Sequence, residues 1–171
     1  MALNEQNKLA NLNKLAARIK MAIFDVDGVM TDGGLIYDQD GKEYKVFNAK
    51  DGQGLVMLNR AGIKTVVITA KESYMVQKRF EMLGFTRIYQ GQKNKEHALN
   101  EVVDDYELKF DEIAYMGDDL PDLCVLRKVG LPSCPKDAVP EVIKAARFIS
   151  TKDGGRGAVR ELCDLILKNH S

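Results

Sequence analysis

The chain has 171 residues, enough for one domain with a sizeable buried core. Its 25 Lys and Arg residues balance 25 Asp and Glu residues, so a formal net charge of zero argues against a nucleic-acid footprint or a charged docking tail. Its apolar runs, such as residues 65–70, are far too short to span a bilayer.

Helical and extended patterns alternate almost to the end of the chain. Residues 1–20 are polar but place Leu9, Leu12, Leu15 and Ile19 on one helical stripe, which predicts a docking helix rather than a signal peptide. Strands are expected at 21–24, 64–68, 87–89, 112–116, 130–132 and 148–150. Helices are expected at 54–61, 73–83, 95–106, 121–128, 139–145 and 158–168. This rhythm predicts a single domain over 1–171: a doubly wound, mostly parallel, Rossmann-like α/β sheet with helices on both faces. Reactive groups in such sheets gather beyond the carboxyl ends of the strands.

One stretch breaks the rhythm. Residues 35–37 and 43–47 flank Asp38-Gln39-Asp40-Gly41 and predict a β-hairpin over 34–48 that projects from the edge of the crevice. A lone two-stranded ribbon is marginal in water, so pairing with another subunit is expected. Cys124, Cys134 and Cys163 are odd in number and lack metal-ligand spacing, and read as reduced packing residues of a cytoplasmic protein. His97 and His170 are too sparse for a histidine-based mechanism.

Chemistry concentrates at the predicted strand ends. Asp25 and Asp27 follow the first strand, with Gly28 freeing the backbone to curl. Two carboxylates so placed can share a site, one attacking phosphorus and one handling a proton, with a divalent cation between them and the phosphate. An Asp/Gly-rich turn is the plainer alternative. Thr69 closes the strand 64–68, where its hydroxyl and the amides that follow can hold phosphate oxygens. Lys95 opens a helix, where an ammonium can neutralise a transferring phosphoryl group. Asp118, Asp119 and Asp122 follow the strand 112–116 and suit a hard, oxygen-preferring cation, Mg²⁺ above all. Taken singly, these are a polar strand end, a solvated lysine and an acidic N-cap before Pro121. Their order along this fold favours the shared site.

Asp25-Val26-Asp27-Gly28, then Thr69, Lys95 and Gly117-Asp118-Asp119, resemble the four-motif signature of the haloacid dehalogenase superfamily over nearly the whole chain. Residues 27–33, 47–54, 89–92 and 154–161 resemble the 3-deoxy-D-manno-octulosonate 8-phosphate phosphatase family more closely. That resemblance implies a small, capless, Mg²⁺-dependent, tetrameric phosphatase on the route to lipopolysaccharide. It implies Asp25 as nucleophile and Asp27 as the acid, then base, of an aspartyl-phosphate mechanism. The metal would be held by Asp25, the Asp27 carbonyl and Asp118, with Asp119 or Asp122 in support.

Between Asp27 and Thr69 there is room for the hairpin and one helix, but not for a folded cap. Neighbouring subunits are therefore expected to close the site, through the hairpin and the segment 154–157. Where the family has Thr-Gly-Arg, this chain has Thr69-Ala70-Lys71, and Lys50 stands where Arg is common. Ala70 keeps an amide donor, but Lys71 lacks the planar, two-pronged grip of a guanidinium. A substrate carrying phosphate and carboxylate still suits Lys50, Lys71, Lys95 and Arg156, each of which is otherwise a solvated charge.

Three rival readings remain. A phosphatase for a nine-carbon nonulosonate or neuraminate 9-phosphate would use the same groups. A non-catalytic oligomerisation module, like those fused to sugar-nucleotide synthetases, need not keep the acidic residues, yet all are present. A signalling receiver would place its acidic pair before the phosphorylated Asp, the reverse of the order here. A calcium loop fails because Ile36 falls where a bidentate Glu is required.

Overall fold

Side-chain alternation in strand β1 (Met21–Phe24) sets the layering. Met21 and Ile23 join one buried cluster, Ala22 and Phe24 the other, and all four are fully buried. The computed structural model describes residues 2–170 and places β1 inside a six-stranded parallel sheet. The order is β5 (Arg87–Tyr89), β4 (Lys64–Ile68), β1, β6 (Ile113–Met116), β7 (Leu131–Cys134), β8 (Phe148–Ile149). Helices α1 (Ala2–Ala16), α2 (Ala49–Arg60), α3 (Tyr74–Met82) and α7 (Ala158–Asn169) cover one face. The other face carries α4 (Lys95–Asp105), α5 (Leu123–Leu126) and α6 (Pro140–Ala145). This is the doubly wound arrangement that the alternating pattern predicts.

From β1 the chain runs outward to β4 and β5 on one side, then returns to β6, β7 and β8 on the other. The strand order therefore reverses at β1, and a crevice opens beyond its carboxyl end. Register aligns the rim: Phe24 pairs with Val67 and with Met116. The next residues stay tied across strands, Asp25 donating its N–H to Met116 O (3.0 Å) and Thr69 to Tyr89 O (2.9 Å).

Several boundaries differ from expectation. Helix α1 ends at Ala16 rather than at residue 20; Leu12 and Leu15 dock, Ile19 is buried in the following turn, and Leu9 stays exposed. Helix α2 begins at Ala49, five residues before the expected start, because Asn48 caps it by accepting the Lys50 N–H at 2.8 Å. Gly52 and Gly54 carry a helix cost of roughly 1 kcal/mol each. At position 54, however, a Cβ would lie 3.0 Å from Arg160 Cδ and Cys163 Cβ, so the bare backbone lets α2 pack against α7. Strand β7 runs to Cys134 rather than stopping at 132, and the helix expected at 121–128 is a 3₁₀ turn (Leu120–Asp122) followed by the short α5.

The hairpin forms apart from the main sheet, with only β2 (Ile36–Tyr37) and β3 (Glu43–Tyr44) paired. Asp38 organises its tip, accepting the N–H of Asp40 and Lys42 and the Tyr44 hydroxyl. Gly41 supplies the positive φ (+77°) that the turn needs.

Candidate active site

The residue after β1 opens a tight loop. Val26 O accepts the N–H groups of Val29, Met30 and Thr31, which curls the chain at once. Gly28 sits at φ +87°, and a Cβ there would fall on the Asp118 carboxylate. The loop is backed from outside the strand. A Cβ on Gly154 would strike the Gly28 carbonyl, and Gly155 donates its N–H to Val29 O at 2.9 Å. The Gly154–Gly155 backbone thus supports the Asp25 loop of its own chain.

Buried charge gathers around Asp25. Lys95, the first residue of α4, has a side chain only 3% exposed and reaches Asp25 Oδ1 (2.9 Å) and Asp122 Oδ1 (2.6 Å). Burial works against its charge, yet Asp25 and Asp122 hold its pKa above the ordinary lysine range. Asp122 is fully committed. Its Oδ1 also accepts the Tyr115 hydroxyl (2.6 Å), and its Oδ2 accepts the N–H groups of Asp118 (2.9 Å) and Asp119 (3.2 Å).

Ligand atoms of Asp25, Asp118 and Asp122 lie within 4.8 Å of one another. With the Asp122 oxygens occupied, Asp25 and Asp118 are the free donors. Asp118 Oδ1 is buried with no hydrogen-bond partner among the described residues. Burial, against the pull of Lys95 and aided by the Asp122 charge, pushes Asp25 up to about 6. Burial, then the charges of Asp25 and Asp122, push Asp118 up to about 8. Three carboxylates facing one ammonium, with a buried oxygen unpartnered, fit a divalent cation with oxygen preference. Asp119 is exposed and spends its side chain capping Leu120, so of the two support candidates Asp122 holds the structural place.

These groups line one open pocket of about 200 Å³, which also takes in Asp27, Thr69, Ala70 and Lys71. Thr69 is buried at its base, while Lys71 reaches Glu43 of the hairpin (3.6 Å). Lys50 and Arg156, expected at the substrate, lie elsewhere and line a separate groove beside Lys152 and Arg160. Arg156 is tied to Asp32 at 2.9 Å. Lys50 is the second residue of α2, which packs against α7.

One charged residue of the site was missed by sequence reasoning. Lys45 pairs with Asp27 and with Glu43 (3.2 Å), its side chain only 3% exposed. Burial opposes its charge, and Asp27 and then Glu43 restore it, leaving its pKa above the usual lysine value. The signal was present in the period of two: Glu43 and Lys45 alternate with exposed Tyr44 and Val46.

The haloacid dehalogenase-like hydrolase family model matches residues 83–162. The 3-deoxy-D-manno-octulosonate 8-phosphate phosphatase KdsC of Escherichia coli is 40% identical over 158 residues, covering 92% of this chain and 84% of the relative. The chain belongs to this phosphatase family. Among solved structures of the wider superfamily, a subfamily III A hydrolase from Legionella pneumophila superposes with a TM-score of 0.96 at 45% identity, covering 98% and 92% of the two chains. The family's phosphatase from Moraxella catarrhalis, crystallised with magnesium, phosphate and a KDO molecule, gives 0.91 at 40% identity, covering 93% and 91%.

Proposed function

We propose that the protein is a Mg²⁺-dependent phosphatase that hydrolyses 3-deoxy-D-manno-octulosonate 8-phosphate through an aspartyl-phosphate on Asp25, in lipopolysaccharide biosynthesis. Family membership supports this substrate, and the Moraxella catarrhalis complex with magnesium, phosphate and KDO supports the metal and the sugar. The observation that carries the chemistry is the pairing of Asp25 with buried Lys95 beside the unpartnered Asp118 oxygen.

Asp25 and Asp118, with the Asp27 carbonyl, would hold Mg²⁺. When bound, the ion would neutralise charge on the phosphate and so lower its repulsion of the Asp25 carboxylate. Asp25 attacks phosphorus, and the sugar oxygen departs with a proton from Asp27. Asp27 then takes a proton from the water that splits the aspartyl-phosphate. Thr69 holds a phosphate oxygen, and Lys95 balances charge on Asp25 and on the phosphoryl group. Asp122 keeps Lys95 and the Asp118 loop in place.

The pocket is small for a whole eight-carbon acid, since ligand sites commonly run to roughly 300–1,000 Å³. The sugar must then extend toward the hairpin, whose Ile36, Tyr37 and Val46 are exposed apolar groups. This supports self-association, as a homotetramer, with a neighbour completing the sugar site. Sedimentation over a dilution series tests it; a fully active monomer contradicts it. Among the described residues no helix is long and apolar enough to cross a membrane, and the three cysteines are free. These features support a cytoplasmic setting.

Phosphate release from eight- and nine-carbon sugar-acid phosphates, with Mg²⁺ or a chelator, tests the assignment. The eight-carbon ester should turn over fastest, chelation should abolish turnover, and Asp25→Asn should lose on the order of 10⁴-fold or more in kcat. Preference for the nine-carbon ester would overturn the substrate, and an active Asp25→Asn protein the nucleophile.

A further inference from the structure

The hairpin carries a lysine that reaches behind the proton-handling carboxylate. Lys45 contacts Asp27 Oδ1, yet Lys45 itself is absent from the pocket lining, whereas Asp27 faces the pocket. Its side chain is 3% exposed against 28% for Asp27. Glu43 takes a second bond from the same ammonium and also meets Lys71 across the rim. An alternating run Asp27–Lys45–Glu43–Lys71 thus links the loop after β1 to the loop after β4.

A half-buried ion pair is a poor way to anchor a hairpin, because desolvating Lys45 offsets much of its attraction to Asp27 and an apolar side chain would pack at lower cost. What the pair does provide is direction. A carboxyl has two oxygens, and an ammonium fixed on one turns the other toward the pocket. We propose that Lys45 is a positioning residue that aims Asp27 at the leaving-group oxygen, so that the hairpin contributes to proton transfer as well as to enclosure. The inference rests on Asp27 acting as the acid. With Lys45 removed, Asp27 can rotate away, and negative charge builds on the departing oxygen as the P–O bond breaks.

A series of aryl phosphates whose leaving groups range from dinitrophenol to phenol tests this without any sugar contact. The readout is the dependence of kcat/KM on leaving-group pKa for the wild type, K45M, K45R and D27N. For K45M, phenyl phosphate should lose roughly tenfold or more, while dinitrophenyl phosphate, which needs no proton, changes by less than about twofold. D27N should steepen in the same sense, and K45R, which keeps the charge, should stay close to wild type. If K45M does not fold, K45Q carries the same comparison. A uniform loss across the series, or an unchanged slope, overturns the role of Lys45. A D27N slope equal to wild type instead overturns Asp27 as the acid, which separates the two failures.

Discussion

At Asp122 four hydrogen bonds converge on one carboxylate, and that count explains why a residue facing the metal site is not itself a free ligand. Its two oxygens serve Lys95, Tyr115 and the amides of Asp118 and Asp119. Replacing it by Asn turns one acceptor into a donor and sets it against an ammonium or two N–H groups. Asp122→Asn should therefore lower metal affinity or activity by roughly 10- to 100-fold while Asp25 stays chemically intact. Titration of Mg²⁺ against turnover measures it, and an unchanged metal dependence would contradict the assignment. Asp118, whose buried Oδ1 has no partner among the described residues, differs in this from Asp119, which is exposed and engaged in capping.

Loops decide how those side chains meet. Gly28 lets the Asp118 carboxylate sit where a Cβ would stand, and its φ of +87° is costly for any other residue by about 1–2 kcal/mol. Gly28→Ala should thus lower thermal stability and weaken Mg²⁺ binding together, whereas loss of stability alone would show that the Asp118 contact is incidental. Much of this was legible in the sequence. Apolar runs ending in Asp25, Thr69 and Gly117 predicted three strand ends at one rim, because parallel strands buried on both faces read as continuous apolar segments. What escaped depended on partners distant in the chain. The start of α2 was hidden by Gly52 and Gly54, whose local cost is offset by packing against α3 and α7. Lys50 and Arg156 were matched by charge to a substrate carrying phosphate and carboxylate, with a solvated charge as the alternative; they line another groove of this chain, where Arg156 pairs with Asp32. Lys45 shares its face of the hairpin with Glu43 by the period of two, but that alternation does not say that the face turns toward Asp27, a partner 18 residues away in the chain.

Across the whole molecule, the site places carboxylates where folding alone would not keep them ionised. The folded-state values of Asp25 (about 6) and Asp118 (about 8) lie above the ordinary 3.8, so these two groups bind more protons in the native protein than in the unfolded chain between about pH 4 and 8. Stability of the metal-free protein should fall as pH rises through that window. Added Mg²⁺ should raise the melting temperature more at pH 8 than at pH 5.5, since it relieves the repulsion that ionisation creates. Calorimetry at the two pH values checks this; an equal or reversed increment would place the ion elsewhere. The proposed mechanism passes phosphate through covalent attachment to one aspartate. Acid quench of enzyme during turnover, borohydride reduction of any acyl phosphate and mass spectrometry of the peptides read that directly. Homoserine at position 25 is the predicted product. Phosphate release with Asp25 unreduced, or reduction at another carboxylate, would contradict it.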